Sequence, residues 1–179
     1  MVDGYHCVSS PLAALLATGP HPGLGPGLAL FGQFVGTWDL RVRFFDRDGT
    51  AVYHEPGVWS FGWVLDGRAI QDVLTYPRAG EDRAGARSIG TSLRRYDPQS
   101  DTWSVVWIGA VSGTQIALTA RAIADGILLE GPDVDGSPLR WTFTDITPEA
   151  FHWHGHIQDA DGTWRLEQDM RARRRPEPS

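Results

Sequence analysis

A chain of 179 residues with a formal net charge of −6 is long enough for one domain with a sizeable core, and its acidity argues against nucleic acid or an anionic membrane surface as partner. All sixteen basic residues are arginine, which excludes Schiff-base chemistry, covalent pyridoxal phosphate and a Walker-type phosphate loop, each of which needs a lysine amine. No asparagine is present to accept an N-glycan, and the single Cys7 has no internal disulfide partner.

The first 27 residues form an arm rich in glycine and proline, with one short helix expected near 11–18. Its apolar run at 11–17 is too short to span a bilayer and follows no basic region, so a cytoplasmic protein is expected. A helical turn over 28–35 leads into the patterned part, and from Gly36 the apolar period becomes two. Ten strands are predicted, at 36–45, 51–65, 68–77, 87–97, 102–109, 113–124, 127–133, 139–145, 151–158 and 163–172. The longest connection, 78–86, is made of small and charged residues and reads as a mobile loop or lid. The basic run at 171–175 reads as a strand end before a frayed tail. The organisation is an arm (1–27), one barrel domain (28–175) and a tail (176–179).

Five Asp-Gly pairs punctuate the strands: Asp48-Gly49, Asp66-Gly67, Asp125-Gly126, Asp135-Gly136 and Asp161-Gly162. Asp-Gly supplies the positive φ that tight hairpins need, so the chain folds back repeatedly into an all-β, up-and-down antiparallel sheet. Closing that sheet into a barrel removes its exposed edges, and a barrel of this size can hold one small ligand.

The same turns mark register. With Asp66-Gly67 as a two-residue turn, Trp63 faces Ile70, Phe61 faces Asp72 and Trp59 faces Leu74. With Asp125-Gly126, Ala122 faces Leu129 and Arg121 faces Glu130; with Asp161-Gly162, Ile157 faces Leu166 and His156 faces Glu167. Apolar meets apolar and charge meets opposite charge, as cross-strand pairing favours. One face then carries every tryptophan: Trp38, Trp59, Trp63, Trp103, Trp107, Trp141, Trp153 and Trp164. This face must point inward, because outside it would be a large apolar patch. Packing alone accounts for it, and so does an aromatic pocket, since ligand sites are mostly apolar with a few placed polar groups.

Several stretches carry a family likeness. Gly36-Thr-Trp38 at the first strand resembles the Gly-x-Trp signature of the lipocalin and fatty-acid-binding-protein superfamily, the calycins. Leu65-Asp-Gly-Arg-Ala-Ile-Gln-Asp72, Tyr96-Asp-Pro98, Thr102-Trp-Ser-Val-Val-Trp107 and Asp161-Gly-Thr-Trp164 resemble an uncharacterised bacterial family of lipocalin-like domains near the nitrobindin barrels. The resemblance implies a calycin-like barrel of about ten strands with an internal cavity, and no single activity, because related barrels carry lipids, bind haem or host enzymes. In calycins an arginine of the last strand packs on the tryptophan. Here the hairpin register puts Arg171 and Arg173 on the polar face, a departure from that pattern.

Two constellations could carry chemistry. His152, His154 and His156 project from one face of a strand, and the register sets Asp169 and Glu167 opposite. Two histidines at i and i+2 can share a metal, so His154, His156 and Glu167 form an alternative divalent-metal set. The flanking Thr144, Thr142 and Arg140 instead make this a solvated face with ion pairs, and its parity is wrong for a haem ligand inside the barrel. On the aromatic face, Asp72 sits opposite Phe61, and Glu55 shares that parity opposite Val42; His54 falls on the polar face and Asp145 near the closed end. A carboxylate among rings is costly unless paired, and desolvation raises its pKa toward general acid/base use. Arg68, Arg94 and Arg95 are the candidate structural partners of Asp72, and a bulge at Pro56-Gly57 would change the register.

These readings combine into a barrel that takes a small apolar or aromatic molecule. Glu55 and Asp72 are the proton-transfer candidates; Tyr53, Tyr76, Arg94, Trp107, Trp141 and Trp164 are the candidate binding residues. Whether the barrel is a cofactor-independent isomerase, cyclase or lyase, a non-catalytic carrier, or a metal or haem protein stays open, as does a homodimer.

Overall fold

The computed structural model describes residues 10–77 and 87–176, excepting the side chains of Tyr53, His54, Glu55, Pro77 and Arg87. The candidate lid at 78–86 lies outside the described residues. Ten strands run in chain order: β1 (Gly36–Phe45), β2 (Ala51–Val64), β3 (Ala69–Pro77), β4 (Arg87–Asp97), β5 (Thr102–Gly109), β6 (Gln115–Ile123), β7 (Gly126–Pro132), β8 (Pro138–Thr144), β9 (Ala150–Gln158) and β10 (Trp164–Arg174). Each pairs antiparallel with the next, and β10 returns to β1, so the meander closes into a barrel. Closure pairs every strand on both sides and leaves no free edge.

The arm begins with α1 (Pro11–Leu15), capped by Ser10, whose hydroxyl accepts from the Ala13 N–H at 3.2 Å. The helix expected at 11–18 stops early because the next residues bond to the barrel instead. Ala17 N–H donates to the Trp63 carbonyl at 3.0 Å, Leu65 N–H to Leu15 at 2.9 Å, and Leu16 bridges Val64. The arm also rests on Gly67, whose φ is +70° and where a Cβ would stand 2.2 Å from the Gly19 carbonyl oxygen. Both the turn and the close approach therefore require glycine. Among the described residues no helix is long and apolar enough to cross a membrane.

Two short 3₁₀ turns and α2 (Ala29–Gly32) follow, and they plug one end of the barrel. Phe31 and Phe34 are fully buried there. Phe31 meets Trp103 and Phe143 edge-on, while Phe34 contacts Trp38, Phe61, Phe143 and Phe151, the last with ring centroids 4.8 Å apart. Trp38 of the Gly-x-Trp element is sealed beside them, its indole N–H donating to the Phe34 carbonyl at 2.7 Å. Arg174, paired with Trp38 across β1 and β10, lies over the indole at 4.1 Å. It donates to the carbonyls of Gln33, Val35 and Pro148. The arginine–tryptophan contact is thus present through Arg174, two residues past the predicted strand end, while Arg171 and Arg173 do face outward and are exposed.

Three hairpins test the predicted register. The β2–β3 pairing matches, with Trp63↔Ile70, Phe61↔Asp72 and Trp59↔Leu74. The β6–β7 turn forms one residue earlier, so Ala120 rather than Ala122 faces Leu129; inside and outside are unchanged, and Arg121 still reaches Glu130 diagonally at 2.9 Å. In β10 the ladder slips between Leu166 and Gln168. That bulge splits the strand: His154 faces Asp169 as expected, but His156 faces Leu166, and Glu167 becomes the extra residue. No bulge occurs at Pro56-Gly57, which pair regularly with Arg41 and Leu40; the irregularity of the first hairpin is at Phe44/Phe45.

Candidate functional site

With one end plugged, the other holds a cavity of about 320 Å³. Its walls are rings and aliphatics: Phe44 from β1, Trp59 from β2, Leu74 and Tyr76 from β3, Trp107 from β5, Ile116 from β6, Leu139 and Trp141 from β8 and Trp153 from β9. The polar lining is sparse: Ser92 and Arg94 from β4, Thr114, and Glu167 and Gln168 from β10. Period-two patterning puts the rings here, because inward residues alternate along every strand. Trp107, Trp141 and Trp153 form an edge-to-face row, with centroids 6.4 and 5.5 Å apart.

At the cavity floor Arg94 is 2% exposed and Asp72 is fully buried behind it. Arg94 Nη1 donates to Asp72 Oδ2, and the Ser92 N–H donates to Asp72 Oδ1 at 3.1 Å. The guanidinium also lies against the Phe31 and Phe61 rings, at 5.2 and 5.3 Å. Burial pulls Arg94 down to about 9, which keeps it protonated at neutral pH. Arg68 and Arg95 do not reach Asp72; Arg68 lies by His21 and Asp66 on the outside.

Of the sequence-derived binding residues, Tyr76, Arg94, Trp107 and Trp141 meet around this cavity. Burial raises the Tyr76 phenol above its ordinary value, with a hydrogen bond to Ser88 opposing. Asp72 touches the cavity only through Arg94 and Ser92. Backbone pairing sets Glu55 against Val42 and Tyr53 against Phe44, but both side chains lie outside the described residues. Trp164 is the correction: it pairs with Gln158 on the outer face, and Arg140 covers its ring at 4.1 Å. Seven of the eight tryptophans therefore keep the inward parity, and the β10 bulge turns the eighth out. Asp145 is also displaced from its expected inward position, being a positive-φ residue in the turn after β8 that pairs with His152 at 2.9 Å.

The bulge supplies one cavity residue that period-two counting missed. It turns Glu167 onto the cavity wall beside Gln168, whose inward parity it leaves unchanged. Solvent reaches Glu167 from the mouth, yet the surrounding wall desolvates its carboxyl and raises it above its ordinary value, with Asp133 and Asp135 adding to the rise and Arg165 opposing it. One signal for the bulge was legible: Gly155, opposite Gln168, is an isolated glycine inside a strand. The same bulge dissolves the alternative metal set, since Glu167 leaves the face of His154 and His156. Asp169 on that outer face is held by Arg43, whose Nε donates at 2.9 Å. Among the described residues no group of three or more His, Cys, Asp or Glu is arranged to hold a metal ion.

No family model matches the chain, and no curated protein matches it. Among solved structures it is similar to Rv2717c from M. tuberculosis, at 13% identity over 84% of this chain and 98% of that one, with a TM-score of 0.61. It is also similar to a redesigned beta barrel (13% identity, 82% and 96% covered, TM-score 0.45) and to EF1p2_mFAP2b bound to DFHBI (14%, 84% and 100%, TM-score 0.42). At such identities the likeness to Rv2717c concerns the fold alone: this chain is a closed, ten-stranded antiparallel barrel.

Proposed function

We propose that the barrel binds one small, largely aromatic molecule in its open-end cavity. The carrying observation is the lining: Trp59, Trp107, Trp141 and Trp153, with Phe44 and Tyr76, surround about 320 Å³. Cavities of that size and character suit small ligands, and empty space beside rings forfeits contacts that a flat molecule restores. Asp72 acts here as the buried counter-ion that fixes Arg94, because both its oxygens already accept hydrogen bonds. The Trp38–Arg174 stack supports reading the barrel as lipocalin-like.

The test is direct. Native mass spectrometry of freshly isolated protein should show a retained small molecule. The neutral probe N-phenyl-1-naphthylamine should bind saturably at one site, and Ile116→Trp, which fills the cavity, should abolish that signal. Equal binding to the Ile116→Trp variant would remove the cavity as the site.

A second reading rests on Glu167. A carboxyl on the cavity wall, raised above its ordinary value by desolvation, is placed to exchange a proton with a bound molecule. Turnover of isomerase, cyclase or lyase type would then run through Glu167, with Glu55 as the sequence-derived second carboxylate. Glu167→Gln would leave affinity in place and stop that turnover; a carrier shows no turnover in either form.

A further inference from the structure

Two residues of the cavity lining carry buried donors with nothing to donate to. Arg94 is 2% and Trp59 3% exposed, and among the described residues neither the Arg94 Nε–H nor the Trp59 indole N–H has an acceptor. Both groups can only donate. The Gln168 amide nitrogen is buried and unpartnered too, although an amide can turn to offer its oxygen instead. Buried N–H groups left unpaired cost about as much as a lost hydrogen bond, so a ligand that supplies an acceptor recovers that cost.

Charge narrows the acceptor further. Arg94 is the one cationic side chain on the cavity wall among the described residues, and Asp72 already balances it. A carboxylate ligand would bring a second anion beside buried Asp72, with Glu167 at the mouth adding repulsion. An uncharged oxygen carries no such penalty. Arg94 is also held in place by Asp72 and by the Phe31 and Phe61 rings, so its free N–H is pre-oriented.

Resting on the aromatic-ligand reading above, we propose that the bound molecule is uncharged and leads with a carbonyl-type oxygen, as in an aryl ketone, quinone or aromatic ester. That oxygen accepts from Arg94, with Trp59 as the second donor.

Isothermal titration with three naphthalenes of matched shape decides it. The ketone 2-acetonaphthone should bind about tenfold or more tighter than 2-isopropylnaphthalene, which lacks the oxygen, and tighter than the 2-naphthoate anion. Trp59→Phe keeps a ring and removes one donor, so it should weaken the ketone severalfold more than it weakens the hydrocarbon. Arg94→Met should abolish that advantage; if that variant fails to fold, Trp59→Phe carries the test. Equal affinity for ketone and hydrocarbon, or tightest binding of the naphthoate, overturns the inference while the aromatic cavity stands. Binding of none of the three removes both.

Discussion

Asp72 shows how one residue's role depends on its neighbours. A lone carboxylate at 0% exposure would be untenable, and Arg94 with the Ser92 N–H makes it tenable. Breaking such a pair is far worse than never having it, because the survivor is an unpaired buried charge. Asp72→Ala should therefore cost about 3–5 kcal/mol in urea unfolding, and Asp72→Leu with Arg94→Met should recover more than half of it. Arg174 makes the opposite kind of contact, a half-buried guanidinium that closes a helical plug onto β10. Its stack on Trp38 and its three carbonyl contacts predict a loss of about 2–3 kcal/mol for Arg174→Ala, read from the same unfolding curves.

At the scale of elements the informative pair is β9 and β10. A single extra residue in β10 puts Glu167 on the inside while His154 and His156 stay outside. Their pH signatures oppose each other. Desolvation lowers both histidines below their ordinary 6.5, so the unfolded chain binds more protons there. Their contribution is present above that value and is lost as pH falls from 6.5 through their lower folded pKa values. Glu167 is raised above its ordinary 4.5, so the folded state binds the extra proton, and its contribution is lost as pH rises from that value through its folded pKa. Unfolding measured from pH 4 to 8, about the span of these two ordinary values, separates the effects. Replacing both histidines by glutamine should flatten the fall below 6.5, and Glu167→Gln should flatten the fall on the rising side.

For the whole molecule, closure and plugging divide the barrel into a packed half and an open half. Phe34 touches four aromatic side chains from β1, β2, β8 and β9, so it ties the plug to nearly half the wall. Phe34→Ala should cost about 3–5 kcal/mol, measured by thermal or urea unfolding. Ile116→Leu at the other end, where space is already open, should cost less than about 1.5 kcal/mol. The contrast between the two ends is the test that the cavity is a built feature and that packing is concentrated behind it.

The number of strands, most of their limits and the side on which most residues fall were legible in the sequence, because each follows from local rules: period-two burial and Asp-Gly turns. So was the aromatic lining at Trp107, Trp141 and Tyr76, since parity sends such residues inward. The rest depended on contacts between distant segments. The β10 bulge lies where the short β9–β10 hairpin meets the long-range pairing of β10 with β1, which begins at Gln168. A one-residue slip there reverses every side chain before it. That reversal put Trp164 outside and Glu167 in the cavity. The partner of Asp72 and the arginine that covers Trp38 were equally matters of tertiary structure. Each is a choice among several residues that only three-dimensional proximity makes.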